Sequence, residues 1–361
     1  MAESSAARWK GGGKLKCGES RGWCHAGKKS PLFWMVGLGV AVAVLLAVSL
    51  CMGRFSIWPG DFVWLLRERL AGAASDAGYV FFDVRLPRIL AALFIGAGLS
   101  MAGGAYQGIF NNPMVSPDLL GASSGAAFGA VLGILLSFSA LGMELSAFLM
   151  GIAAVVITYV ISLAAGGRGD LLSVLLTGSV VGSLFAAFTA GATYLSDPNS
   201  KMPEIAFWLM GGLANVSFRE VWLLFLPFCL GGGILFLQRW QLNLLTFGDE
   251  EAMALGVNAA RVRLCVTVGA TLLTASSVAV AGMVGWVGLI IPHMGRALVG
   301  PDYRALLPVS ALMGAGFLLL VDDVARNVNT TEIPLSILTA IVGAPFFILL
   351  LARRIRTQQE L

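Results

Sequence analysis

The stretch Gly22-Trp-Cys-His-Ala-Gly27-Lys28 has the spacing of a phosphate-binding loop. In such a loop a Ser or Thr follows the lysine and its hydroxyl holds Mg²⁺. Here Lys29 follows, no strand-like segment precedes, and a long apolar run comes next. The segment therefore reads as a basic flank, and no ATP site is expected in this chain. Cys17 and Cys24, with His25 beside them, match no zinc-ligand spacing. The other histidine, His293, lies in an apolar segment. An ionisable residue there is a candidate for function, but beside Pro292 and Arg296 it also suits a structural place at a helix kink. Asp322 and Asp323, with Arg326 near them, could serve proton or ion coupling; at the end of an apolar segment they fit an interfacial ion-pair cluster better. Clustered His, Asp or Glu of the kind an enzyme or a metal centre needs is not found, so neither a catalytic residue nor a metal ligand is assigned.

Three further groups of residues have chemistry suited to binding and movement. Arg85-Leu-Pro-Arg88 opens an apolar run. Its two cations read equally as interfacial anchors, with their stems in lipid, or as a docking point for an acidic partner. Asn111-Asn112-Pro113-Met114, with Pro117, interrupts the chain after another apolar run. Proline and asparagine break helices, so this is a turn or a constriction; irregular backbone at membrane depth is tolerated where it lines a cavity. Gly248-Asp-Glu-Glu-Ala-Met-Ala-Leu-Gly256 reads as a short helix from Asp249 to Leu255. Its acids sit in the first turn, where the helix dipole favours them, and Gly256 ends it. Such a helix is an interfacial anchor or a partner-binding element, and its acids fit a protein socket better than a lipid surface.

The elements that must carry these groups follow from composition. Hydrophobic residues make up 57% of the 361-residue chain and charged residues 12%, against ~25% charged in soluble domains. A membrane span needs ~20 mainly apolar residues. Ten are expected, at 32–53, 87–108, 118–138, 144–165, 171–195, 219–238, 261–282, 285–299, 305–325 and 334–352. The first is too long for a signal-peptide core of ~7–15 residues. The fold class is thus an all-α polytopic membrane protein: a basic tail at 1–30, a transmembrane domain at 31–356 and a short tail at 357–361. Arg8, Lys10, Lys14, Lys16, Arg21, Lys28 and Lys29 crowd one end, and Arg353, Arg354 and Arg356 the other. The positive-inside rule then places both termini in the cytoplasm. Segments 54–86, 196–218 and 326–333 are expected outside, and 166–170, 239–260 and 300–304 inside. The basic tail is ordinary for a juxtamembrane segment, so nucleic acid is not an expected partner. Ala102-Gly103, Gly108 and Pro113 also echo Ala281-Gly282, Gly288 and Pro292, a faint inverted repeat.

Taken in order, RLPR, QGIFNNPMVSPDLLGASSGA, FWLMGGL, GDEEAMALGVN, GLIIPH, DDVAR and PLSILTAIVGAPFFILLLARR resemble the FecCD/BtuC-type permeases of ABC importers over about residues 30–356. The resemblance implies a ten-span subunit of the bacterial inner membrane that pairs with a second copy or with a close relative. Two ATPase subunits that bind ATP-Mg would sit beneath, and a periplasmic or lipoprotein substrate-binding protein above. It implies that Arg85, Arg88 and Arg326 meet acids of the binding protein. It makes Glu250, Glu251, Ala252, Leu255, Gly256 and Val257 the coupling helix, and Asn112 with Met114 the cytoplasmic gate. The stretch Gly166–Ser173 departs from the family pattern, so no second gate is assigned. The implied cargo is an iron(III)-siderophore, with haem or cobalamin as alternatives. An ion-coupled secondary transporter is the rival class; it would need acids or histidines in mid-membrane, which this chain scarcely has.

Overall fold

A computed structural model describes residues 30–359 apart from 54, 56, 73, 74, 165–170 and 330. Among these residues the chain is helical, with no strand. Seven helices are long and apolar enough to cross a bilayer, and the shorter apolar helices Ala122–Leu135, Val287–Val299 and Leu335–Leu350 bring the set to the ten expected. Outer and inner ends are named by the orientation expected from the charge bias. The basic N-terminal tail and most of the 166–173 stretch lie outside the described residues.

Helix α1 (Pro31–Cys51) starts at Ser30, whose hydroxyl accepts from the Phe33 amide at 3.3 Å, with proline in the first helical position. Both features suit a helix start. Only 6% of its apolar window is buried, so it lies on the rim of the bundle. The opposite case is the rod formed by α3 (Asp76–Tyr79), a π-helical segment (Val80–Arg85) and α4 (Leu86–Ile109). Its 34 residues are 83% buried across the apolar window, which makes it the central post. At ~1.5 Å per residue the rod is about 51 Å long, more than the ~30 Å of hydrocarbon it must cross. Its outer end therefore stands clear of the lipid core. Helix α2 (Phe62–Leu70) packs there, through Phe62 against Phe81 at 5.1 Å between rings and an Arg69–Asp83 ion pair of 3.1 Å. The segment 54–86, expected as an outer loop, is in this way largely helical.

Glycine lets the helices touch. A Cβ on Gly96 would stand 2.2 Å from the Gly314 carbonyl oxygen, and one on Gly103 only 1.8 Å from that of Gly288. Contacts of this kind drive helix association where lipid removes the hydrophobic incentive. The first joins α4 to α13 (Tyr303–Asn327), the second joins α4 to α12 (Val287–Val299). The two halves of the faint repeat thus pack on one another. Around this centre run α5 (Ala122–Leu135), α6 (Ala140–Ala164), α7 (Leu171–Tyr194), α9 (Phe218–Leu245), α11 (Ala259–Ala281) and α14 (Leu335–Gln359). Two short helices complete the chain: α8 (Lys201–Met210) at the outer side, in a segment expected as loop, and α10 (Asp249–Ala254) at the inner side.

Candidate functional site

The outer arginines are turned inward. Arg85, Arg88 and Arg326 are 4%, 6% and 8% exposed. Arg85 closes the end of α1: its Nη1 donates to the carbonyls of Leu50 at 2.6 Å and Cys51 at 3.3 Å, and its Nη2 to that of Phe55. A cation at a helix C-terminus meets the negative end of the dipole and the last free carbonyls. Arg88 donates to Asp322 through Nε at 3.0 Å and Nη2 at 2.8 Å, and to Glu332 through Nη1 at 2.7 Å. Arg326 pairs with Asp323, and its Nη2 donates to the Ser49 carbonyl at 2.7 Å. Each guanidinium is thus satisfied within the chain: α13 lays Asp322 against Arg88 and Asp323 against Arg326, carbonyls hold Arg85, and a buried charge must be paired. The acid left at the surface is Glu332, with its side chain 38% exposed.

At the inner end of α4 the helix stops at Ile109, and Asn111 takes a left-handed φ of 48°, a conformation asparagine tolerates. Asn111 Nδ2 donates to the Leu245 carbonyl at 3.3 Å, and Asn112 Oδ1 accepts from the Met114 amide at 3.0 Å. Asn112 is exposed, Met114 half-buried, and Val115 buried. A turn at Pro117–Leu120 follows, and Gly121 at φ 83° leads into α5. The segment forms one wall of a cavity of about 500 Å³ whose other walls include Gln107, Asn243, Arg296 and Tyr303.

Helix α10 forms where the acids and flanking glycines predict it. Gly248 has φ 115°, and Gly256 has φ 80° with open space where a Cβ would stand. Ala252 and Val257 are buried, at 0% and 8% exposure, and pin the helix to the inner core. Asp249 is held by Arg263 through bonds of 2.7 and 2.5 Å. That leaves Glu250 and Glu251 exposed, together with Met253 at 59% and Leu255 at 61%. The face is apolar with an acidic edge, which suits a protein socket rimmed by cations.

The model of the FecCD transport family matches residues 41–353. The chain belongs to this family. The molybdate import permease MolB of Haemophilus influenzae is 42% identical over 315 residues, covering 87% of this chain and 93% of that one. The hemin transport permease HmuU of Yersinia pestis is 36% identical, covering 89% and 96%. A solved metal-chelate type ABC transporter in an inward-facing conformation is 40% identical and superposes with a TM-score of 0.80, covering 88% and 98%. This FecCD-family chain is thus a multi-pass permease of an ABC importer.

Two parts of the FecCD permease escape the sequence reading. At the outer end a cavity of about 430 Å³ is lined by Glu144, Trp208, Gly212, Arg219, Glu220 and Glu332. Its floor depends on α8 and on the start of α9, where Ser217 and Glu220 form a reciprocal capping box. The signal was present as Ser-x-x-Glu before an apolar run. The second is Gln107, 2% exposed near the inner end of α4. A glutamine in a Gly- and Ala-rich span was its only mark. His293, by contrast, lies on α12 with the Phe346 ring 6.4 Å away, as suits a kink residue.

Proposed function

We propose that this permease passes a ferric chelate across the bacterial inner membrane, with both termini in the cytoplasm. It works as one of two copies above a pair of ATPase subunits that hydrolyse ATP-Mg, and it receives cargo from a periplasmic or lipid-anchored binding protein. The observation that carries the reading is α10: an exposed acidic and apolar face fixed to the core by two buried residues, Ala252 and Val257. Such a lever transmits a push from beneath without unfolding. Asn112 and Met114 then act as the gate at the inner end of α4, the most buried span. Arg85, Arg88 and Arg326 shape the outer docking face by holding the ends of α1, α4 and α13 together, with Glu332 left at its surface.

A chelated metal travels inside its own ligand. Haem and cobalamin are cargoes of the same kind. The identity to a molybdate permease favours a second reading, a tetrahedral oxyanion. Reconstitution with the ATPase and binding protein in proteoliposomes separates them. ATP-dependent uptake of a radiolabelled ferric siderophore, without uptake of molybdate, is expected. Uptake of molybdate alone establishes the oxyanion reading. Uptake driven by an ion gradient without the ATPase removes the importer reading altogether.

A further inference from the structure

Helix α12 contains Pro292. Proline has no amide hydrogen, so the carbonyl four residues earlier loses its helical partner; that carbonyl belongs to Gly288. An unsatisfied carbonyl inside a membrane protein is costly. The Gln107 side chain comes from α4 to meet it. Its Nε2 lies 3.5 Å from the Gly288 oxygen, 3.3 Å from that of Leu289 and 3.3 Å from that of Val115. Two amide hydrogens are shared among three acceptors, two on α12 and one in the segment 111–117. The Oε1 accepts from Arg296 Nη1 at 2.5 Å, which fixes which way the amide faces. Arg296 reaches on to the Tyr303 hydroxyl at 3.4 Å, at the start of α13. On the Gly288 side the node has no slack. A Cβ on Gly288 would stand 2.6 Å from Pro117 Cγ and 2.8 Å from the Leu99 carbonyl oxygen.

We propose that Gln107 is the positioning residue that clamps the gate segment 111–117 onto α12, so that the segment moves with α12 and not on its own. The inference rests on the reading of Asn112 and Met114 as the gate. Satisfying the orphaned carbonyl explains why a donor is needed at all. The third bond, to Val115, is what a merely structural donor would not require.

The test uses the whole complex, permease with ATPase and binding protein, in proteoliposomes. Met114→Cys is introduced after replacement of the native cysteines, and its rate of reaction with a water-soluble maleimide is followed without nucleotide and with the ATPase trapped by vanadate after ATP hydrolysis. With Gln107 in place the two rates should differ roughly tenfold, the size of an ordinary coupling between sites. Gln107→Glu keeps an acceptor for Arg296 but can no longer donate, and the two rates should converge while the complex still assembles. Pro292→Ala returns an amide hydrogen to Gly288. Added to Gln107→Glu it should repair α12 and leave the rates converged, because Val115 remains untied. If Pro292→Ala restores the difference, or if Gln107→Glu never removes it, Gln107 serves only the helix and the clamp is overturned. Equal rates with Gln107 intact would instead sink the gate reading and the clamp with it.

Discussion

At the scale of single residues the outer ion pairs invite the sharpest test, because their burial separates two roles. A charge-pair cluster in the interior repays its desolvation only while every member has its partner. Arg88 is bonded to Asp322, whose side chain is fully buried, and to Glu332 at the surface. Replacing Asp322 by Ala leaves the buried guanidinium with Glu332 alone and should cost about 3 kcal/mol, seen as a lower unfolding temperature in detergent. Arg88→Met combined with Asp322→Leu removes both charges and should recover most of that loss. If the double variant is stable yet no longer captures the binding protein, Arg88 contributes charge to docking directly. If capture survives, the arginine is a brace. Arg85 is less replaceable, since its fork serves three carbonyls at once, a geometry that a lysine ammonium does not reproduce.

At the scale of elements, α10 shows how far a sequence can speak. Acids after one glycine and before another specify a short helix by dipole and cap, and the structure places it at Asp249–Ala254. The turn at Asn111–Pro113 was equally legible, because proline and asparagine act locally. The pairing of Arg88 with Asp322 was not, since 234 residues separate them and only the packing of α13 on α4 joins them. Gln107 was hidden for the same reason: the carbonyl it serves belongs to another helix. The space around Gly256 turns legibility into an experiment. Its φ of 80° makes any side chain somewhat strained, yet nothing of the chain itself lies within reach. Gly256→Ala should therefore cost about 1 kcal/mol and leave transport working. Gly256→Trp should fold and insert as well, but fail to bind or drive the ATPase, measured by co-purification and by uptake. Normal uptake with the tryptophan would remove α10 from the coupling pathway.

At the scale of the whole molecule, the exposed surface has two characters. Helix α1 shows Val36, Val40, Val44 and Val48, one side chain per turn and all apolar, which is the face lipid wants. Helix α7 is also poorly buried, at 22% of its window, but exposes Ser179, Ser183, Ala186, Ala187, Ala190 and Gly191 beside its larger side chains. Small residues allow close approach of another helix, and hydroxyls tolerate a wet passage; the Ser183 hydroxyl already satisfies itself on the Ser179 carbonyl at 2.8 Å. A pathway between two copies lined in part by α7 would account for both properties. Cysteines placed singly at Ser183 and Val40 distinguish the surfaces. Ser183→Cys should react with a membrane-impermeant thiol reagent, and its rate should change when ATP is bound, because the passage alternates its openings. Val40→Cys should stay unlabelled throughout, since acyl chains exclude the reagent. Equal labelling of the two, or labelling of Val40→Cys alone, would place water against α1 and take the passage away from α7.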